Sequence, residues 1–278
     1  MQNKASQPLD QYAVIGNPVA HSKSPLLHAA FAAQCQQAIC YRALLAPPDS
    51  FAATVKQFIN DGGRGANVTL PFKLEAFNLC TALTPRAQAA GAVNTMCFEG
   101  QKIIGDNTDG CGLVSDIVRN AGVTLQGKRI LLLGAGGAAR GAILPLLECQ
   151  PAELIIANRS IEKAQQLAEQ FSSFGQISSS EFAQIKGQFD VIINATSASI
   201  AAQIPPIPDT AYNSNSLAYD MMYSDQPTVF MQHAAKHQAQ TRDGWGMLVE
   251  QAAEAFYVWR GMRPDTSELL TRNMSRAI

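Results

Sequence analysis

The sequence predicts an α/β protein of two lobes, and three observations carry that prediction. The chain has 278 residues, long for one core and comfortable for two. Along its N-terminal part, short apolar runs of strand length alternate with helical segments, the order that α/β chains follow. At Arg129-Ile130-Leu131-Leu132-Leu133 an apolar run ends in a glycine cluster, and the mostly apolar helix Ala142–Leu147 follows at once.

Within the first lobe, Gln11–Gly16 reads as a strand, and Ser24-Pro25 as a helix start with Ser24 at the N-cap. The helix runs from Pro25 to Gln37. Ser22 and Ser24, two hydroxyls beside a helix N-terminus, also suit a carboxylate. A serine nucleophile paired with His21 or His28 lacks its Gly-x-Ser-x-Gly setting. Tyr41–Leu45 is a second strand, Phe51–Asn60 a helix, and Ala66–Leu70 a third strand. Alternation there sends Val68 and Leu70 one way and Asn67 and Thr69 the other. Pro71 stops the ladder and starts a helix, which holds Lys73 near the strand's C-terminal end. Taken alone, Lys73 is an exposed lysine in a first helical turn. Asn94-Thr95 is another polar pair. A strand from Ile103 ends in two acids, Asp106 and Asp109, and Asp109 is an N-cap candidate for a helix over Gly112–Ala121.

The second lobe, beginning near Asp109, is read from its glycines. Strand, tight turn and helix are the setting of a Rossmann-like dinucleotide fingerprint. Gly134 makes the turn, Gly136 lets the backbone approach a pyrophosphate, and Ala139 packs helix on strand. The helix N-terminus offers unpaired N–H groups to phosphate. The next strand, Glu153–Ala157, ends at Asn158-Arg159-Ser160 with Lys163 close behind, where an NAD-binder places an acid. A guanidinium fork and a hydroxyl suit a 2′-phosphate, so the predicted cofactor is NADP. Gln188–Asn194 is a further buried strand with Ala195-Thr196-Ser197 at its ligand-gathering end, and Leu217–Tyr223 is another. Between them Ile204–Pro208 is loop. Arg242–Gly246 turns into a last helix, Met247–Arg260, with an apolar stripe of Leu248, Ala252, Ala255, Phe256 and Trp259. Gln251 sits on the stripe's edge, bonded either to backbone or to a polar ligand.

Composition excludes several classes. Acidic and basic residues number 22 and 21, a net charge of -1, which offers nothing to nucleic acid or an anionic membrane. No apolar run approaches the ~20 residues that span a bilayer, and Met1-Gln2-Asn3-Lys4 lacks a signal core. Six scattered cysteines without Cys-x-x-Cys read as reduced, fitting the cytoplasm. No metal site is expected: His233 and His237 share a helix face but have no neighbouring Cys or carboxylate set, and read as solvated.

Taken together, Gly16-Asn17-Pro18, His21-Ser22-Lys23-Ser24-Pro25, Gly65–Thr69 with Pro71-Phe72-Lys73, and Gly91–Thr95 closely resemble shikimate dehydrogenases. Gly105–Gly110, Gly134–Ala138, Asn158-Arg159, Asn194–Ser197 and Gly246–Val249 with Gln251 continue the resemblance in the family's order over nearly the whole chain. The resemblance implies a substrate lobe over 1–108 completed by helices of 246–278, an NADP lobe over 109–245, and reduction of 3-dehydroshikimate to shikimate. It assigns Ser22 and Ser24 to the substrate carboxylate, and Asn67, Thr69, Asn94, Tyr223 and Gln251 to its carboxylate or hydroxyls. Lys73 and Asp109 become the catalytic pair, both also touching substrate. The cofactor falls to Gly134, Ala135, Gly136, Gly137, Ala138, Asn158, Arg159, Ser160 and Lys163, with Thr196, Met221 and Gly244. Partners are then small molecules, with monomer and homodimer both open. This chain departs at Ser160, where Thr is common, at Pro85, where an acid is common, at Ser199, where Gly is common, and at the bulky Trp245.

Overall fold

The structure, a computed structural model, describes residues 9–271. It divides into two compact units. One holds the chain up to Thr108 together with Ala252–Glu268, and the other holds Asp109–Gln251 and the chain from Leu269.

In the first unit the order is β1 (Asp10–Gly16), α1 (Ser24–Gln34), β2 (Ile39–Leu45), α2 (Phe51–Asn60), β3 (Gly63–Val68), α3 (Lys73–Leu79), β4 (Ala82–Leu83), α4 (Pro85–Ala90), β5 (Thr95–Glu99) and β6 (Lys102–Asp106). The six strands lie in the order β2-β1-β3-β5-β6-β4. β1 pairs in parallel with β2 and β3, while β5 is antiparallel to both β3 and β6. Gly65–Val68 of β3 are all buried. A central strand covered on both faces has no solvent side, so the expected alternation fails: Thr69 and Leu70 lie beyond the strand and Leu70 is exposed. The N-cap of α1 is Lys23 rather than Ser24, which is the first helical residue, and the helix stops at Gln34 because Gln36 takes a left-handed φ of 52°. Ala252–Glu268 closes this unit. Trp259 stacks on Tyr12 with centroids 4.7 Å apart and donates to the Met96 carbonyl at 3.0 Å. A Cβ on Gly65 would lie 2.6 Å from the Trp259 indole nitrogen, so only glycine fits beneath that ring.

In the second unit follow α5 (Asp109–Ser115), which runs on as a π-helical turn over Asp116–Asn120, then β7 (Arg129–Leu133), α6 (Gly137–Glu148), β8 (Glu153–Ala157), α7 (Ile161–Phe171), β9 (Ile177–Ser180), β10 (Val191–Asn194), β11 (Leu217–Asp220), α8 (Val229–Lys236) and β12 (Gln240–Arg242). The chain closes with α9 (Trp245–Arg260), which passes to the first unit at Ala252, and α10 (Ser267–Thr271), which passes back at Leu269. All six strands are parallel, in the order β12-β11-β10-β7-β8-β9. Renumbered from β7, that is the doubly wound order 3-2-1-4-5-6, with the sheet's direction reversing between β7 and β10. Leu131, Leu133, Ile192, Ala218, Phe230 and Ala234 form a shared core. Asp109 is the first residue of α5, not its N-cap. β10 and β11 are shorter than expected, and Trp245 and Gly246 already belong to α9.

Each unit buries a carboxylate on an arginine fork. Arg86 donates to both oxygens of Asp106 at 2.6 Å and to Glu254 at 2.9 Å. Burial alone would raise the Asp106 pKa, but the Arg86 and Thr84 hydrogen bonds hold it below the ordinary value. In the second unit, fully buried Asp116 receives both Arg242 nitrogens at 2.6 Å, the Tyr219 hydroxyl at 2.8 Å and the Asn120 amide at 2.8 Å. The Asp116 carboxyl also lies against Gly246, where any Cβ would displace it. Removing one partner of such a pair strands the other. Asp116→Asn should therefore cost about 3 kcal/mol of stability, read as a lower urea midpoint. Adding Arg242→Met should recover part of it.

Candidate active site

The first unit contributes a buried polar network at the ends of β3, β5 and β6. The Asn67 amide donates to Thr95 Oγ1 at 3.0 Å and to the Asn94 carbonyl at 3.2 Å, while its Oδ1 accepts from the Tyr41 hydroxyl at 2.7 Å. Asn94 Oδ1 accepts from the Thr108 backbone N–H at 2.8 Å and from Thr95 at 2.9 Å. Both amide side chains are thus locked in place. Both amide hydrogens of Asn67 are committed, so one Oδ1 lone pair is what it retains for a ligand.

Ser24 is buried in the first turn of α1, and its backbone N–H donates to Ser22 Oγ at 3.3 Å, which brings the two hydroxyl-bearing residues together. Thr69 follows β3, with its N–H bonded to Ile15 O at 3.0 Å and its methyl packed against Gly16. That packing explains the glycine before Asn17-Pro18. Half-buried Lys73 begins α3, and its carbonyl accepts from Val93 N–H at 2.9 Å, next to Asn94.

The sequence offers His28 only as a partner for a serine nucleophile and Tyr41 only as a strand residue; the structure pairs the two. The His28 ring is fully buried, stacks on Tyr41 at 4.1 Å and 8°, and backs the Tyr41–Asn67 hydrogen bond. Neither ring nitrogen has a hydrogen-bond partner among the described residues. No local motif marks this pair, because it arises where α1 and β2 meet in the fold.

The second unit contributes the turn after β7. Gly134 has φ of 106°, and a Cβ there would lie 3.2 Å from both the Ala195 carbonyl and the Thr196 methyl. The loops after β7 and β10 therefore touch at the topological switch point. Gly136 caps α6 and Gly137 opens it, with Ala138 exposed beside them and Ala139 buried. A Cβ on Gly136 or Gly137 would meet nothing within 4 Å. Packing within the protein does not require glycine there, whereas a pyrophosphate lying on the α6 N-terminus does. Half-buried Ala135 lies between these glycines and Gly134.

At the end of β8, Asn158 donates to the Ser160 carbonyl at 2.9 Å and shapes the turn into α7. Arg159, Ser160 and Lys163 are exposed around that helix start, and Ser160 sits at the N-cap without a side-chain capping bond. Arg159 makes no hydrogen bond or ion pair among the described residues. Two cations at a helix N-terminus oppose its dipole, and a bound phosphate reverses that penalty.

Thr196 donates to Asn194 Oδ1 at 2.7 Å. Ser199, the departure from glycine, donates to buried Asp220 at 2.6 Å, so its hydroxyl is used structurally. Gly244 is pressed against Met221, where a Cβ would lie 2.7 Å from the carbonyl carbon. Exposed Tyr223 meets Trp245 edge-on at 6.0 Å, and the Trp245 indole donates to Leu269 O at 3.2 Å. Gln251 donates to Leu248 O at 2.9 Å, and its backbone lies against Gly112, which admits no Cβ. Asp109 starts α5, half-buried.

A six-stranded parallel sheet in doubly wound order, with bare glycine backbone at the switch point, defines a dinucleotide-binding α/β protein. Residues 14–96 match the shikimate dehydrogenase substrate binding domain, 116–203 match shikimate / quinate 5-dehydrogenase, and 244–270 match the shikimate 5′-dehydrogenase C-terminal domain. A shikimate dehydrogenase (NADP(+)) of Herminiimonas arsenicoxydans is 60% identical over 93% of this chain and 94% of its own. Among solved structures, the Ael1 enzyme from Pseudomonas putida is 46% identical with TM-score 0.91, over 94% of this chain and 97% of that one. Shikimate 5-dehydrogenase from Thermus thermophilus, in complex with NADP(H) and shikimate, is 31% identical with TM-score 0.83, over 93% and 96%. The chain belongs to the shikimate dehydrogenase family.

Burial lowers the His28 pKa to about 3 from an ordinary 6.5. The ring stays neutral in the fold but takes up a proton when unfolded below about pH 6.5. Stability supplied by this residue is therefore lost as pH falls from 6.5 towards 3. Between pH 7 and pH 5 the wild type should lose about 2 kcal/mol more than His28→Phe, measured by urea unfolding at both pH values.

Proposed function

We propose that this chain is an NADP-dependent oxidoreductase that reduces 3-dehydroshikimate to shikimate, reversibly, in aromatic amino-acid biosynthesis. The observation that carries the reading is the bare Gly136-Gly137 backbone at the start of α6, with unpartnered Arg159 at the end of the neighbouring strand. The names of the relatives and the ligands of the Thermus structure support the same substrate and cofactor. The unit containing Lys73 is the substrate domain in this reading, and the unit of the doubly wound sheet holds NADP.

When bound, NADPH supplies the hydride. Gly134–Ala138 would hold its pyrophosphate by backbone N–H groups, and Arg159, Ser160 and Lys163 would clamp the 2′-phosphate. Thr196, Met221 and Gly244 would line the nicotinamide end of the cofactor site, and the Gly244–Met221 contact keeps the backbone there close-packed. In the substrate domain, Ser22 and Ser24 donate to the carboxylate. Asn67, its donors already spent, accepts from a ring hydroxyl, while Thr69, Asn94, Tyr223 and Gln251 complete the polar lining. As the ketone oxygen gains charge, the Lys73 ammonium stabilises it and gives up a proton. Asp109 orients the ammonium, and in the oxidation direction the pair takes the proton back. No helix among the described residues is long and apolar enough to cross a membrane. The near-zero net charge and scattered cysteines favour small-molecule partners in the cytoplasm.

The test pairs shikimate or quinate with NADP⁺ or NAD⁺ and follows nicotinamide absorbance. Fast reduction with shikimate and NADP⁺ alone is expected. Comparable rates with quinate, which one matching family description also names, would broaden the substrate range. Lys73→Ala should lower turnover at least ~100-fold, and near-normal turnover would remove Lys73 from the mechanism. Arg159→Ala should raise the Kd for NADP⁺ roughly tenfold or more while leaving NAD⁺ nearly unchanged. Equal weakening of both cofactors would contradict the 2′-phosphate role.

A further inference from the structure

The histidines that the sequence leaves as solvated do acquire a carboxylate, from a distant segment. Asp209 opens a 3₁₀ turn over Asp209–Ala211, while His233 lies on α8 and His237 at its C-cap, one turn further on. Residues four apart on a helix share a face. His233 Nε2 lies 3.3 Å from Asp209 Oδ1, and His237 Nε2 lies 3.4 Å from the same oxygen. One donor atom from each of the three residues lies within 4.8 Å of the other two.

These distances suit an ion better than a hydrogen bond. An N–H···O bond centres near ~2.9 Å, and one carboxylate oxygen set evenly between two imidazoles satisfies neither closely. Around a tetrahedral ion with bonds of about 2.0–2.1 Å, neighbouring donor atoms stand roughly 3.3 Å apart. Both distances to Asp209 match that edge. The rings are also held in place. His237 stacks on buried Tyr212 at 5.2 Å and 8°, and His233 meets the same ring edge-on at 5.8 Å and 68°. The histidine side chains keep about a quarter of their exposure, at 22% and 25%, and Asp209 keeps 67%, so an ion can enter from solvent.

We propose that Asp209, His233 and His237 bind a divalent transition ion of the zinc class, with water as the fourth ligand. Two imidazoles and one carboxylate prefer Zn²⁺, Co²⁺ or Ni²⁺ over Mg²⁺ or Ca²⁺, which favour all-oxygen shells. The ion joins the 209–211 turn to the end of α8 and acts as a structural clip. None of the three residues belongs to the substrate or cofactor machinery, so occupancy should alter stability and leave turnover unchanged.

The test titrates untagged wild-type protein with Co²⁺ and records visible absorption. One Co²⁺ per chain is expected, giving d–d bands without the thiolate charge-transfer band that a cysteine site would show. Paramagnetic broadening should fall on the His233 and His237 imidazole resonances, a readout that needs no variant. Asp209→Asn and His237→Gln, checked for native circular dichroism, should each weaken binding at least ~10-fold, as loss of one of three protein ligands requires. Zn²⁺ at roughly 100-fold above its Kd should raise the wild-type melting midpoint by about 5 °C, and Mg²⁺ should not. Equal Co²⁺ affinity in the wild type and both variants, a thiolate band, or broadening elsewhere would overturn the assignment.

Discussion

A carboxylate withdrawn from water must keep a cation or a full set of donors, and this chain is arranged around that constraint. Asp106 ends β6 and is gripped by Arg86, which also reaches Glu254 on the returning segment. Asp116 sits where α5 slackens into a π turn and draws in Arg242 from β12 and Tyr219 from β11. Asp220 uses neutral donors instead, from Ser199, Thr228 and Asn194. Each acid specifies which segments must meet, and a misregistered strand would leave a charge stranded. Gly246 shows how far the chain accommodates this: the second residue of helix α9 has no side chain because the Asp116 carboxyl occupies its place.

The amide network in the first unit applies the same logic to neutral groups. Asn67 and Asn94 hold each other through Thr95, and Tyr41 supplies the remaining bond. In a low-dielectric interior, groups so connected have one arrangement and resist repacking. In the role proposed for these amides, recognition of a hydroxylated ring gains from side chains fixed before the ring arrives. Rigidity has been placed at the ends of buried strands, where loops alone would not provide it.

Legibility in the sequence followed the strength of the local signal. β8 appears at Glu153–Ala157 as expected, because a central parallel strand is a continuous apolar run bounded by polar ends. The turn from β7 into α6 is equally plain, since its glycines do local work. The edge strands of the second sheet were silent: β9 reads Ile-Ser-Ser-Ser and β12 Gln-Thr-Arg, neither with an apolar face. β5 hid behind its polar first residue. Pairing partners far apart in the chain were invisible for a different reason. Tyr41 with Asn67, or Asp209 with His233 and His237, become neighbours only through sheet order and helix packing. No window of sequence contains both halves of such a pair.

The split of the first unit has a consequence for synthesis. Of the described strands its β1 is translated before the rest, yet Tyr12 stacks on Trp259 and Asp10 pairs with Arg260 at 2.6 Å. Arg260 follows Asp10 by 250 residues. The sheet of the second unit is complete once Arg242 has emerged, whereas the first unit, although its six strands end at Asp106, still lacks Ala252–Glu268 at that point. Domains ordinarily mature in the order of translation. Here the nascent N-terminal sheet must wait, with the face meant for Trp259 uncovered, while the rest of the chain is made. Its exposure to chaperones and proteases is therefore set by elongation speed across the intervening unit.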